Sequence, residues 1–236
     1  MTFPTTNWTL LAHATLSGDT AGMRALGALL NDYRQPVVSF LVQRGSLTQD
    51  AEDLTHQLFA DMMSSRAWRQ ADRSRGRFRS FLLGILAHVI SREQRRETAQ
   101  KRGGQELKLS LEELADRGVE MSDPAPQDAA FFDRQWALNL VNGALTTVQD
   151  RYAADGRSRQ WEVLLRYLPG AGETPTYEAS AAELGLSLSA LKTAVHRVRN
   201  EFREALRRAV SCTVGAAHEV EDELAYLHRV LSSPSM

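Results

Sequence analysis

The apolar positions of this chain recur at spacings of three and four, and no segment shows the alternation that marks a strand. The clearest stripe is Leu188, Leu191, Val195, Val198, Phe202, Leu206 and Val210, one apolar face of a long helix. Ahead of it, Tyr177 to Leu184 forms a shorter helical run with small residues at Ala181 and Ala182. Gly185 separates the two and suits a turn, because glycine tolerates positive φ. Ser187 is the expected N-cap of the second helix. Two helices meeting at a glycine turn make a helix-turn-helix. Ala181 is small where the second helix has to cross, Leu184 and Leu186 anchor the corner, and Leu191 packs back on the first helix.

The same period runs through the rest of the chain. Met23, Leu26, Leu29, Leu30 and Tyr33 predict a helix that starts near Gly18-Asp19. Pro36 is expected to begin or bend the next one, which runs through Val37, Val38, Phe40, Leu41 and Val42 to a C-cap at Gly45. Thr48 is the expected cap of a helix whose inward positions are Ala51, Leu54, Leu58 and Met62. A basic loop, Trp68 to Arg77, feeds a long helix with Phe78, Phe81, Leu82, Ile85, Leu86, Val89 and Ile90, broken at Gly103-Gly104. Composition then turns polar and acidic, with Pro124 and Pro126, as in a linker. Helices return over Asp128 to Tyr152, over Trp161 to Leu168 and, acidic this time, over His218 to Leu231. Trp8, Leu10, Leu11 and Leu16 suit a short amphipathic turn. The predicted fold class is all-α, with two small helical domains over 1–103 and 128–214. A linker over 104–127 joins them, the helix-turn-helix lies in the second, and an acidic tail helix occupies 215–236.

Net charge changes this picture less than its distribution does. The 236 residues sum to −1, yet eleven cations lie between Arg66 and Arg102 against only Asp72, Glu93 and Glu97. A second basic cluster runs from Lys192 to Arg208, while acids gather in 49–61, 106–133 and 219–223. Two separated basic stripes in a neutral chain fit a protein that meets a polyanion at two places. Residues 1–30 lack a basic start followed by an apolar run, and no window reaches membrane-spanning length without charges. A cytoplasmic protein without membrane contact is the expectation. Cys212 is the only cysteine, and it has no catalytic setting. None of the six histidines falls in a metal spacing, and no glycine-rich phosphate loop follows a strand. No catalytic residue, metal site or cofactor is therefore expected, and the chain does not read as an enzyme.

Three stretches carry candidate chemistry. The polar face of the helix after Gly185 presents Ser189, Lys192, Thr193, His196, Arg197 and Arg199. Hydroxyls near an N-terminus followed by cations suit a helix entering a major groove and gripping phosphates, against the plainer reading of a solvated charged face. Asp50, Glu52 and Asp53 open an amphipathic helix, where they complement its macrodipole and face outward. Arg75, Arg77, Phe78, Arg79 and Ser80 interleave cations with an aromatic just before a helix. That mixture suits single-stranded nucleic acid, although for isolated aromatics such as Phe78 and Phe81 a place in the core is the better reading.

On these residues the chain resembles the sigma-70 family of bacterial RNA polymerase sigma factors, in particular the extracytoplasmic-function type. Asp50-Ala51-Glu52-Asp53-Leu54-Thr55 followed by Phe59 is similar to the family's polymerase-binding helix. Gly76-Arg77-Phe78-Arg79-Ser80-Phe81-Leu82 and the helix through Arg95-Arg96 resemble its minus-10 recognition and melting segment, and Tyr177 to Leu206 its minus-35-reading helix-turn-helix. The resemblance implies a dissociable specificity subunit without catalysis of its own. Asp50, Glu52, Asp53, Leu54 and Gln57 would dock on the clamp helices of the largest subunit of core RNA polymerase. Arg75, Arg77, Phe78, Arg79 and Ser80 would hold the minus-10 strand. Ser189, Lys192, Thr193, His196, Arg197 and Arg199 would meet the minus-35 duplex of promoter DNA. An anti-sigma factor or another external regulator is the expected controller. Two positions depart from the pattern: His56 stands where glutamine is common, and Ala194 where arginine is frequent.

The main alternative is a freestanding helix-turn-helix regulator with an N-terminal helical sensor domain. It accounts for residues 176–210 and leaves the acidic helix and the Arg-Phe stretch as coincidences. The acidic tail has two readings: docking on the second domain to cap its core, or covering basic DNA-binding surface with Glu219, Glu221, Asp222 and Glu223.

Overall fold

A computed structural model describes residues 20–65, 67–70, 78–100, 125–214 and 218–233; for some of them, including 92–100, it describes the backbone alone. Among the described residues every long element is helical and no strand occurs. The helices are α1 (Thr20–Gln43), α2 (Thr48–Ser64), α3 (Phe78–Gln100), α4 (Pro126–Ala154), α5 (Ser158–Leu164), α6 (Tyr177–Leu184), α7 (Leu188–Ser211) and α8 (Glu219–Ser232). Short 3-10 turns sit at Ala67–Gln70 and Leu165–Tyr167. The all-α class read from the periodicity holds. The turn expected near Trp8–Leu16, the break at Gly103-Gly104 and most of the linker lie outside the described residues.

The chain divides into two compact units, Met1–Asn139 with Cys212–Met236, and Leu140–Ser211. The division falls inside α4, which Pro126 opens at the first helical position, where its missing N–H leaves no bond unmade.

In the first unit, α1 is one helix of 24 residues that continues through Pro36, where a start or bend was expected. Proline has no N–H to give the carbonyl four residues back, here that of Asp32. Asn139 Nδ2 donates to that carbonyl at 3.0 Å, so the group the proline orphans is satisfied by α4. The aromatic centre joins three helices. Tyr33 stacks on Trp136 with ring centroids 4.2 Å apart and an interplanar angle of 7°, and meets the edge of Phe78 at 5.4 Å. Burial pushes the Tyr33 phenol far above its ordinary range, so it stays neutral. Helix α2 turns Ala51, Thr55, Leu58 and Met62 inward, and the Thr55 hydroxyl donates to the Ala51 carbonyl at 2.7 Å instead of remaining unpaired. Leu47, exposed, occupies the N-cap position without a side-chain bond; Thr48, the expected cap, is one residue inside the helix.

The terminal helix α8 also belongs to this unit and not to the second, where the capping reading had placed it. It buries Val220, Glu223 and Leu227. At its C-terminal end Arg134 Nη1 lies 3.1, 3.3 and 3.0 Å from the carbonyls of Val230, Leu231 and Ser233, a cation on carbonyls the helix itself leaves unpaired.

The second unit packs α4's C-terminal half, α5, α6 and α7 around Val148, Tyr152, Trp161, Leu164, Leu191, Val195, Val198 and Phe202. Within each helix these positions recur at spacings of three and four, as the pattern required.

Candidate functional site

The turn between α6 and α7 is built by three local devices. Thr176 caps α6, its hydroxyl accepting from the Ala179 N–H at 3.3 Å. Gly185 ends it in the left-handed conformation, φ 65° and ψ 30°. Its N–H donates to Ala182 and that of Leu186 to Ala181, the two bonds of a Schellman closure. Ser187 then caps α7, accepting from the Ala190 N–H at 3.2 Å. Tyr167, itself buried in the core of this unit, braces the corner, its hydroxyl 2.8 Å from Ser180 Oγ and 3.1 Å from the Thr176 carbonyl. No local pattern signals this brace, because Tyr167 and Ser180 lie on different elements.

With the corner fixed, the facing of α7 follows from its period of about 100° per residue. Leu191, Val195, Val198, Phe202 and Ala205 are buried, and Ser189, Lys192, Thr193, His196, Arg197 and Arg199 are all exposed on the opposite side. Leu188, expected in the apolar stripe, is exposed: at the first helical position it lies beyond the reach of the core. Arg199 sits at the margin of the polar face, where its Nε donates to the Tyr167 carbonyl at 3.1 Å. The Thr193 hydroxyl donates to the Ser189 carbonyl at 3.0 Å. Asn200 was missed by the sequence reading. It contacts His196 at 3.3 Å and accepts from Arg203 at 2.7 Å, and its spacing of seven from Thr193 places it on the same face.

Helix α2 offers a different surface. Asp50, Asp53 and Gln57 are exposed, Leu54 is half-buried beside them, and Gln57 Nε2 donates to Asp61 at 2.7 Å. Spacings of three, four and seven set these residues on one face. Glu52 lies on the other flank of the buried stripe, 3.6 Å from Arg34 of α1. It therefore does not join the group with which the sequence had placed it.

The start of α3 departs most from expectation. Arg75 and Arg77 lie outside the described residues. Ser80 is exposed, but Phe78 is buried against Tyr33 and Phe81, and Arg79 is only 3% exposed. Two of the five residues offered to DNA are thus inside the first unit. Arg79 Nε donates to Asp133 Oδ1 of α4 and its Nη1 to Glu223 Oε1 of α8, both at 2.6 Å. The Tyr226 ring lies 5.4 Å from its guanidinium carbon, and the Tyr226 hydroxyl donates to Asp133. Burial alone would lower the pKa of Arg79; the carboxylates of Asp133 and Glu223 outweigh it and hold the guanidinium charged.

Among the described residues no group of histidine, cysteine, aspartate or glutamate is arranged to hold a metal ion, and no helix is long and apolar enough to cross a membrane. What the site does offer is surfaces: one hydroxyl- and cation-bearing helix face on a rigid helix-turn-helix, and one acidic helix face. The first of these faces is of the kind a nucleic-acid-binding protein presents. The family model described as ECF sigma factor matches residues 7–208, and the chain belongs to that family. It is accordingly a promoter-specific transcription initiation factor of a family that regulates transcription and is not a family of catalysts. Neither curated proteins nor solved structures gave a match.

Proposed function

We propose that the chain binds core RNA polymerase and carries it to promoters through contacts at the minus-10 and minus-35 elements. The observation that carries this reading is the polar face of α7, held outward by a capped, glycine-closed turn. Lys192, His196, Arg197 and Arg203 grip phosphates or guanine edges, Asn200 is suited to adenine, and Ser189 and Thr193 stand at the entering end of the helix. Each good base contact contributes about 1–3 kcal/mol of discrimination. Phosphate contacts add affinity that falls with salt.

Asp50, Asp53, Leu54 and Gln57 form the face that docks on the clamp helices of the largest subunit. The charges steer the encounter and the half-buried Leu54 supplies apolar contact. Glu52 supports this face from α2's far flank through Arg34. At the minus-10 element, Arg75, Arg77 and Ser80 meet the strand first. Phe78 roots the stretch in the core, and Arg79 takes part only when it is uncovered. Control comes from an anti-sigma factor or another external partner.

In vitro transcription on a promoter library, with core polymerase alone and with the protein added, tests this reading. The expected result is a new set of start sites preceded by a shared upstream element. A start-site map unchanged by the protein overturns it.

A further inference from the structure

Arg79 is held in a way that plain docking of α8 does not require. A 14-residue helix is marginal by itself and depends on what it packs against. The only fully apolar side chains α8 buries are Val220 and Leu227; between them sits Glu223, 3% exposed. A buried charge cluster gains little over apolar side chains of the same volume, so an apolar seam would fasten the helix at least as well. The cluster is also incomplete. Arg79 Nη2 is buried and has no hydrogen-bond partner, which adds a desolvation cost. A guanidinium with an unmade bond, paired with a carboxylate on a terminal helix, is poised for exchange. A phosphate oxygen competes for the same donors with the same charge and bidentate geometry.

We propose that α8 is a built-in acidic gate on the minus-10 surface. Glu223 occupies the place on Arg79 that a backbone phosphate of the opened strand takes in the active complex. Displacement of α8 then turns Arg79 from a core residue into a DNA contact. Asp133 stays on Arg79 throughout, because it comes from α4 and not from the departing helix, and it keeps the guanidinium oriented. Arg134, bound to the last carbonyls of α8, and Tyr226, bound to Asp133, set how firmly the gate is shut. This inference rests on the minus-10 role given to the start of α3 under the proposed function.

The test uses full-length protein assembled with core polymerase and a fluorescein-labelled forked duplex cut from a start site the holoenzyme uses. Glu223→Gln keeps the shape of α8 and removes its charge. Its holoenzyme is expected to bind the fork roughly tenfold more tightly, the worth of one charge-assisted bond released from competition. Equal or weaker binding by the variant overturns the gate. Should Glu223→Gln not fold, hydrogen exchange of wild-type 219–232 decides: faster exchange when the holoenzyme binds the fork supports the gate, and unchanged or slower exchange overturns it. Failure of the functional reading looks different. In that case the wild-type chain forms no holoenzyme, or its holoenzyme uses no start site of its own.

Discussion

Arg79 and Arg197 are the same side chain in two settings. Arg197 stands on the exposed face of α7, on a helix whose own stripe decides which way it points. Arg79 begins α3 and is taken into the first unit by Asp133, 54 positions away, and Glu223, 144 positions away. One arginine is governed by local period and the other by distant partners. The difference separates a surface whose shape is complete without its ligand from one whose charge is already engaged. On the function proposed above, the second unit would be a preformed reading head and the first a contact that has to be released.

The sharpest way to break this contrast is to remove a partner from the engaged arginine. Asp133→Ala leaves Arg79 buried with one carboxylate, and is expected to cost about 3–5 kcal/mol of stability. Urea unfolding measures this, and a loss within the range of an exposed charge would show that the buried cluster does not hold the unit together. In the second unit the largest effects come from the apolar stripe. Leu191→Ala empties a fully buried position and should cost about 2–5 kcal/mol. Leu188→Ala, on the same predicted stripe but exposed, should change stability by less than about 0.5 kcal/mol. Equal losses at the two positions would contradict the facing of α7.

Gly185→Ala tests the corner between the two helices. A Cβ there meets nothing within 4 Å, so crowding plays no part and the φ of 65° is the whole penalty. The expected loss is about 1–2 kcal/mol, read by thermal unfolding. A neutral result would mean that the turn adopts another closure without strain.

These outcomes also mark what the sequence could and could not disclose. The stripe of α7, the glycine turn, the serine cap and three of the four inward positions of α2 follow from spacing within one helix, and they were legible; Thr55 is buried where Leu54 was expected, and Leu54 is half-buried. Leu188 was assigned to the stripe because a period does not say where a core ends. The unbroken α1 was hidden because the donor that satisfies Asp32 is Asn139, more than a hundred residues on. The burial of Phe78 was legible in the apolar period of α3, but the burial of Arg79 and the place of α8 in the first unit depend on pairings between elements that no local pattern encodes. Composition did show that the tail is acidic and the start of α3 basic. It did not say that Glu223 alone among those acids would be buried against Arg79.

Surface charges should move recognition and leave stability alone, and the two units are expected to differ in which partner they lose. Reversing Asp50 and Asp53 to lysine presents cations where the proposed docking face is acidic. Affinity for core polymerase is expected to fall roughly tenfold or more, as measured by fluorescence titration with labelled protein, while the melting temperature holds. Undiminished holoenzyme formation would move the docking site off α2.

The smallest stability effect belongs to Lys192→Ala, next in sequence to the buried Leu191 but turned about 100° from it, onto the exposed face. Stability should stay within about 0.5 kcal/mol of the parent. Duplex binding should weaken about equally across promoter sequences, because an ammonium on a phosphate carries no base information. The slope of log affinity against log salt should fall in magnitude by about one, the signature of a single lost phosphate contact. A loss confined to one base position would make Lys192 a base reader instead. An unchanged slope would take it out of the interface, and with it the centre of the polar face of α7, since His196 and Arg203 lie four and eleven residues along the same side.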